Sequence, residues 1–213
     1  MDAGPGTDLG SLGWFLGIWV TMTAAMMLPS AVPAAGQVAR LPRRSPTVLF
    51  VAGYLAVWTV YGLAAYGLDR FLGSLDTGWL GWDERGPWVA GAVVVAAGIY
   101  EGTAFKRRGL RRCRSARHPE SPPRSGLAHG LDCVTCSGAL MAVLLVLGVM
   151  SLFWMSLVAV VIFAEKVLPQ GARLAVPLAV ALVALGVWVG VSPASVPGLT
   201  QPGGGSPPME MGS

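Results

Sequence analysis

The chain is poor in charge. Of its 213 residues only 12% are Asp, Glu, Lys or Arg, while 54% are hydrophobic and the mean hydropathy is +0.60. Soluble domains carry about 25% charged residues. Half that share leaves too few ionic groups to coat a water-facing surface, so lipid is the expected solvent for most of the chain. The net charge is only +4, and the basic residues gather in two loops beside apolar segments. That distribution speaks against a nucleic-acid partner and for a membrane protein. Cysteine is scarce too: there are three, an odd number, and two sit at CxxC spacing, which argues against a disulfide framework. Residues Met1 to Asp8 lack the basic start of a cleavable signal peptide, so none is expected. Catalytic motifs are missing as well. There is no GxSxG, no HExxH, no Walker loop and no pair of carboxylates within one span, so the chain reads as a non-enzyme more readily than as an enzyme.

What the chain has is apolar runs long enough to cross a bilayer, which takes about 20 residues. They predict an all-α, polytopic membrane helix bundle of five transmembrane helices, at about 12–38, 47–68, 87–105, 136–163 and 173–191. Pro29 and Pro33 remove two backbone donors near the end of the first. Pro87 suits the first turn of the third. The basic stretch 106–130 reads as a polar loop with room for a short helix. A single domain covers 1–191, and the Pro-, Gly- and Ser-rich stretch 192–213 reads as a disordered tail. Arg40, Arg43 and Arg44 lie in one loop, and Lys106, Arg107, Arg108, Arg111, Arg112, Arg114, Arg117 and Arg124 in another. Loops rich and poor in basic residues alternate over five spans. This predicts an N-terminus outside and a C-terminus inside, in a bacterial cytoplasmic membrane.

Metal-grade and redox-grade side chains concentrate between Gly98 and Met155. In His129-Gly-Leu-Asp-Cys133-Val-Thr-Cys136 two thiols share CxxC spacing, with an imidazole four residues earlier and Cys113 in the same basic stretch. Thiolate and imidazole suit Zn(II), and thiolate suits Cu(I) especially well. The same spacing serves thiol–disulfide exchange, and it also fits plain packing at a helix start, with Asp132 as a ligand or an N-cap. Met22 and Met26, four apart on one helical face with Met27 beside them, offer thioethers to a soft ion or fill gaps in the core. Glu101 lies near the inner end of the third span, where an acid is costly unless paired or bound to a cation. It is either a metal ligand or the partner of Lys106 or a nearby arginine. Glu165 and Lys166 read as anchors at the outer membrane boundary. His118 reads as solvated.

Several patches together resemble the DUF2182-type family of predicted metal-binding integral membrane proteins. They are Trp19 and Met22 with Ala25-Met26-Met27-Leu28-Pro29-Ser30; Ala97-Gly98-Ile99-Tyr100-Glu101 through Lys106 and Cys113-Arg114; and His129-Gly130 with Cys133-Val-Thr-Cys136, Leu140-Met141, Gly148-Val149-Met150-Ser151-Leu152, Trp154-Met155 and Glu165-Lys166. The resemblance spans Trp19 to about Gly186 and implies metal binding without implying a reaction. The family pattern has Gly, Cys and Trp where this chain has Thr135, Ser137 and Gly138, so one thiol of its cluster is missing here. Any metal then depends on Cys113, His129 or the methionines beside the CxxC pair.

The expectation is a soft-metal handler, for copper or else zinc, that binds, transfers or transports the ion. Its loading site is Cys113, His129, Cys133 and Cys136, with Met22, Met26 and Glu101 as a second site among the helices. The bilayer, partner membrane subunits and a metal chaperone are the expected partners. Two other readings stay open: a non-catalytic subunit or assembly factor of a larger membrane complex, and a CxxC thiol oxidoreductase.

Overall fold

The computed structural model describes residues 11–40, 46–74, 82–115, 121–148, 152–168 and 171–192. His118 and nearly all of the stretch expected to be a disordered tail lie outside the described residues. Within them the chain is all-helical: α1 (Leu12–Val38), α2 (Pro46–Ser74), α3 (Trp82–Glu101), α4 (Ala104–Ser115), α5 (Pro122–Gly148), α6 (Leu152–Val167) and α7 (Gly171–Val191). Four stretches are long and apolar enough to cross a membrane: Leu12–Val38, Pro46–Phe71, Pro122–Leu147 and Arg173–Val191. A fifth is added if α3 and α4, bent by 68° at their junction, form one broken span. Large apolar side chains cover the outside of the bundle, among them Leu152 at 78% and Val48 at 67% exposure. Water does not tolerate so much exposed apolar surface; lipid does.

Two sequence expectations need correction here. The basic stretch 106–130 is mostly helix. In α4 the residues Lys106, Gly109, Leu110 and Cys113 recur at helical spacing and are buried as one face, while Arg107, Arg108, Arg111, Arg112 and Arg114 stay exposed. Apolar residues are so few in this stretch that its period was hidden under the arginines. The expected span 136–163 is instead two helices. α5 begins at Pro122, where a proline costs no hydrogen bond, and ends at Gly148; α6 begins at Leu152.

The extra helix changes the path of the chain. α1 and α2 are antiparallel: the rings of Phe15 and Tyr66 lie 5.3 Å apart, and Trp19 Nε1 donates to the Trp58 carbonyl at 2.8 Å. α2 and α5 run parallel, with Phe50 beside Gly126, Tyr54 and Val57 beside Gly130, and Tyr61 donating to the Gly138 carbonyl at 2.8 Å. α3 and α7 are antiparallel, pairing Gly91 with Gly186 and Gly190, and Gly98 with Ala179 and Val183. α6 carries the chain back, so that Glu165 and Lys166 reach the level of α4. As a result α1 starts and α7 ends at the same end of the bundle, whereas the five-span reading puts the termini on opposite sides. Lys166 and Arg173 join the arginines of α4 at the opposite, basic end.

Candidate metal centre

Two helices of the basic end, α4 and α5, bring three thiols into one small volume. The sulfurs of Cys113, Cys133 and Cys136 all lie within 4.8 Å of one another, and all three residues are buried free thiols. Cys133 and Cys136 share a face of α5 because three residues make nearly one turn. They stand well inside α5, so Asp132 is no N-cap. Cys113 comes from α4, and Gly109 lets it arrive: a Cβ there would stand 2.7 Å from Thr135 Cγ2 on α5. Gly109 and Cys113 are four residues apart on the buried face of α4, so the close approach at one delivers the other. The hydroxyl of Tyr100 donates to the Thr135 carbonyl at 2.6 Å and pins the end of α3 to the same turn.

The thiols have polar neighbours that the sequence did not place beside them. Lys166 Nζ donates to Cys133 Sγ at 2.8 Å and lies 3.6 Å from Met27 Sδ and 3.5 Å from Ser30 Oγ. The Tyr54 hydroxyl is 3.0 Å from the same Cys133 sulfur. Cys136 Sγ faces the Cys133 carbonyl and Ser137 Oγ, each at 3.3 Å. Cys133 thus receives an ammonium and a phenol, groups that offset the negative charge a sulfur carries when it binds a metal.

The other expected site residues fall around this core. His129, one turn before Cys133, is buried against the rings of Phe50 and Tyr54, each 5.8 Å away. It stands outside the three-thiol group, yet it lines a cavity of about 290 Å³ that Cys113 also lines. Met22 is buried in the apolar core with Met26 packed partly against it; the methionine beside Lys166 is Met27. Glu101 is fully buried and pairs with Lys106, which also pairs with Glu165. This realises the structural-pair alternative, with a second carboxylate the sequence had placed elsewhere. Glu165 and Lys166 are 2% and 8% exposed, so neither is a boundary anchor. The return of α6, invisible while α5 and α6 read as one span, carries both into the core.

The cavity lies between α1, α4, α5 and α6, with Ser30, Pro33, Arg114, Lys166 and Val167 also in its wall. Arg114 Nη1 donates to the Glu165 carbonyl at 3.4 Å and holds α4 against the end of α6.

Chemically, three clustered thiols can bind a soft metal ion or exchange disulfides. Comparison with known proteins favours the first. Residues 16–189 match the family described as PpoB2: Copper chaperone, and the chain belongs to that family. No curated protein and no solved structure matches it.

Proposed function

With that family as the premise, we propose that the chain is a membrane-embedded carrier of copper that holds one Cu(I) ion on Cys113, Cys133 and Cys136 and passes it on. The observation that carries this reading is the meeting of three buried thiols within 4.8 Å. Thiolates are soft ligands that select Cu(I). A structural zinc site closes with four ligands, and among the described residues the clustered donor set has three. The DUF2182-type resemblance also points to metal, and Cys113, Cys133 and Cys136 are the thiols of its pattern that this chain keeps.

Each neighbouring group has a role in this reading. Lys166 balances the charge of a multi-thiolate copper site, Tyr54 orients the Cys133 sulfur, and Met27 offers a neutral thioether on the way out. The bundle lies in a bacterial cytoplasmic membrane with its basic end towards the cytoplasm, as the bias of Arg and Lys directs. Both described ends of the chain then lie on the far side. Copper passes to or from another protein in or beside the membrane. No step calls for bond-making other than metal–ligand exchange.

Elemental analysis of the full chain purified in lipid tests the reading. One copper per chain is expected, with Cys133→Ser and Cys136→Ser each losing most of it. Stoichiometric copper that ignores both substitutions would overturn the site.

A further inference from the structure

Among the described residues the cavity beside the thiols is lined by two cations, Arg114 and Lys166, and by no acid. Lys166 is largely buried and reaches Cys133, and Arg114 is exposed at the rim. A lining of this sign repels a free metal cation and draws anions. Of the three thiols, Cys113 alone lines the cavity; Cys133 and Cys136 lie behind it, each 1% exposed. The volume of about 290 Å³ sits at the lower edge of the roughly 300–1,000 Å³ that holds small ligands. It suits a small molecule better than a loop of a protein.

Resting on the copper reading above, we propose that this cavity admits copper as a small anionic Cu(I)–thiolate complex, and that Cys113 is the first thiol to take the ion. The step is a ligand exchange. A bond forms between the Cys113 sulfur and Cu(I), and the bond from copper to the donor thiolate breaks. The Cys113 proton leaves with the departing thiol. Copper remains Cu(I) throughout, so no oxidant or reductant is consumed. Cys133 and Cys136 then bind the ion in turn, each new Cu–S bond replacing any remaining bond from copper to a donor thiolate. Each cysteine proton leaves with the donor thiol it displaces or, where none remains, to solvent. Arg114 and Lys166 attract the anionic complex and hold it beside Cys113 while the exchange takes place.

The test follows loading of the copper-free full chain in lipid by stopped-flow absorption. Cu(I) is offered either with glutathione, an anionic thiol, or with cysteamine, a cationic one. The wild type should load at least about tenfold faster from the glutathione complex at low salt. That advantage should shrink at about 1 M salt, where charges are screened beyond about 3 Å. Arg114→Glu should remove the advantage, and Arg114→Gln should reduce it, the rates being compared after scaling to the copper each variant holds at equilibrium. Cys113→Ser should slow loading from either donor. Equal wild-type rates from the two donors, or no response to Arg114→Glu in a variant that still fills with copper, would overturn the inference and leave the three-thiol site standing. Failure of the wild type to retain copper from either donor would instead remove the copper reading itself.

Discussion

The ammonium of Lys166, near the end of α6, lies 2.8 Å from the sulfur of Cys133 in the middle of α5. The two residues are 33 positions apart, and the return of α6 brings them together. A cation fixed beside a metal-ligating sulfur stabilises the charge that the sulfur brings to the ion. Substitutions of such supporting groups lower metal affinity by about 10- to 100-fold. Lys166→Gln, which keeps most of the length and loses the charge without adding a soft ligand, should therefore weaken Cu(I) binding by about that factor. Competition with a chromophoric Cu(I) chelator measures it, and an unchanged affinity would show that the ammonium plays no part in holding the ion.

Gly109 brings α4 against α5. A valine there would drive a side chain into Thr135, whose Cγ2 already stands 2.7 Å from the position of an added Cβ. Overpacking of this kind costs about 1–3 kcal/mol. The expected outcome of Gly109→Val is a folded protein in which Cys113 is moved off the other two thiols. Thiol-reactive labelling should then find Cys113 faster than in the wild type, and copper retention should fall towards that of Cys113→Ser.

Lys106 is the one ammonium joined to two buried carboxylates, Glu101 and Glu165. Removing one partner from a buried ion pair costs about 3–5 kcal/mol, because the remaining charge is left uncompensated. Lys106→Ala should lose about that much stability in thermal unfolding of the solubilised protein. Glu101→Gln leaves one carboxylate facing one ammonium and should cost less than half as much. Equal losses from the two variants would contradict the triad as the source of the effect.

The sequence made the membrane setting and the candidate thiols plain, because low charge and CxxC spacing are local signals. Cys113, Cys133 and Cys136 were all recognisable as soft donors, and the structure brings them together. Tyr54 and Lys166 were hidden for a tertiary reason. Tyr54 has no ligand signature in the sequence, and its contact with Cys133 depends on the parallel packing of α2 on α5. Lys166 looked like a boundary anchor, because the run from Cys136 to Phe163 has no polar residue strong enough to mark where one helix ends and the next begins. Ser151 sits within that run, but so do Ser137 and Ser156, and composition alone does not rank them. Read as a single span, that run carries Glu165 to the opposite end of the bundle from Lys106, its partner. Glu101 and Lys106 were readable as a pair because they are five residues apart; Glu165, 59 residues from Lys106, was not.

The most direct measurement is X-ray absorption at the copper edge of the loaded protein, for the wild type and for Cys113→Ser, Cys133→Ser and Cys136→Ser. The account predicts Cu(I) in a shell of three sulfurs, with one sulfur lost in each single variant. A shell dominated by nitrogen or oxygen, or one that keeps three sulfurs whichever cysteine is replaced, would contradict it.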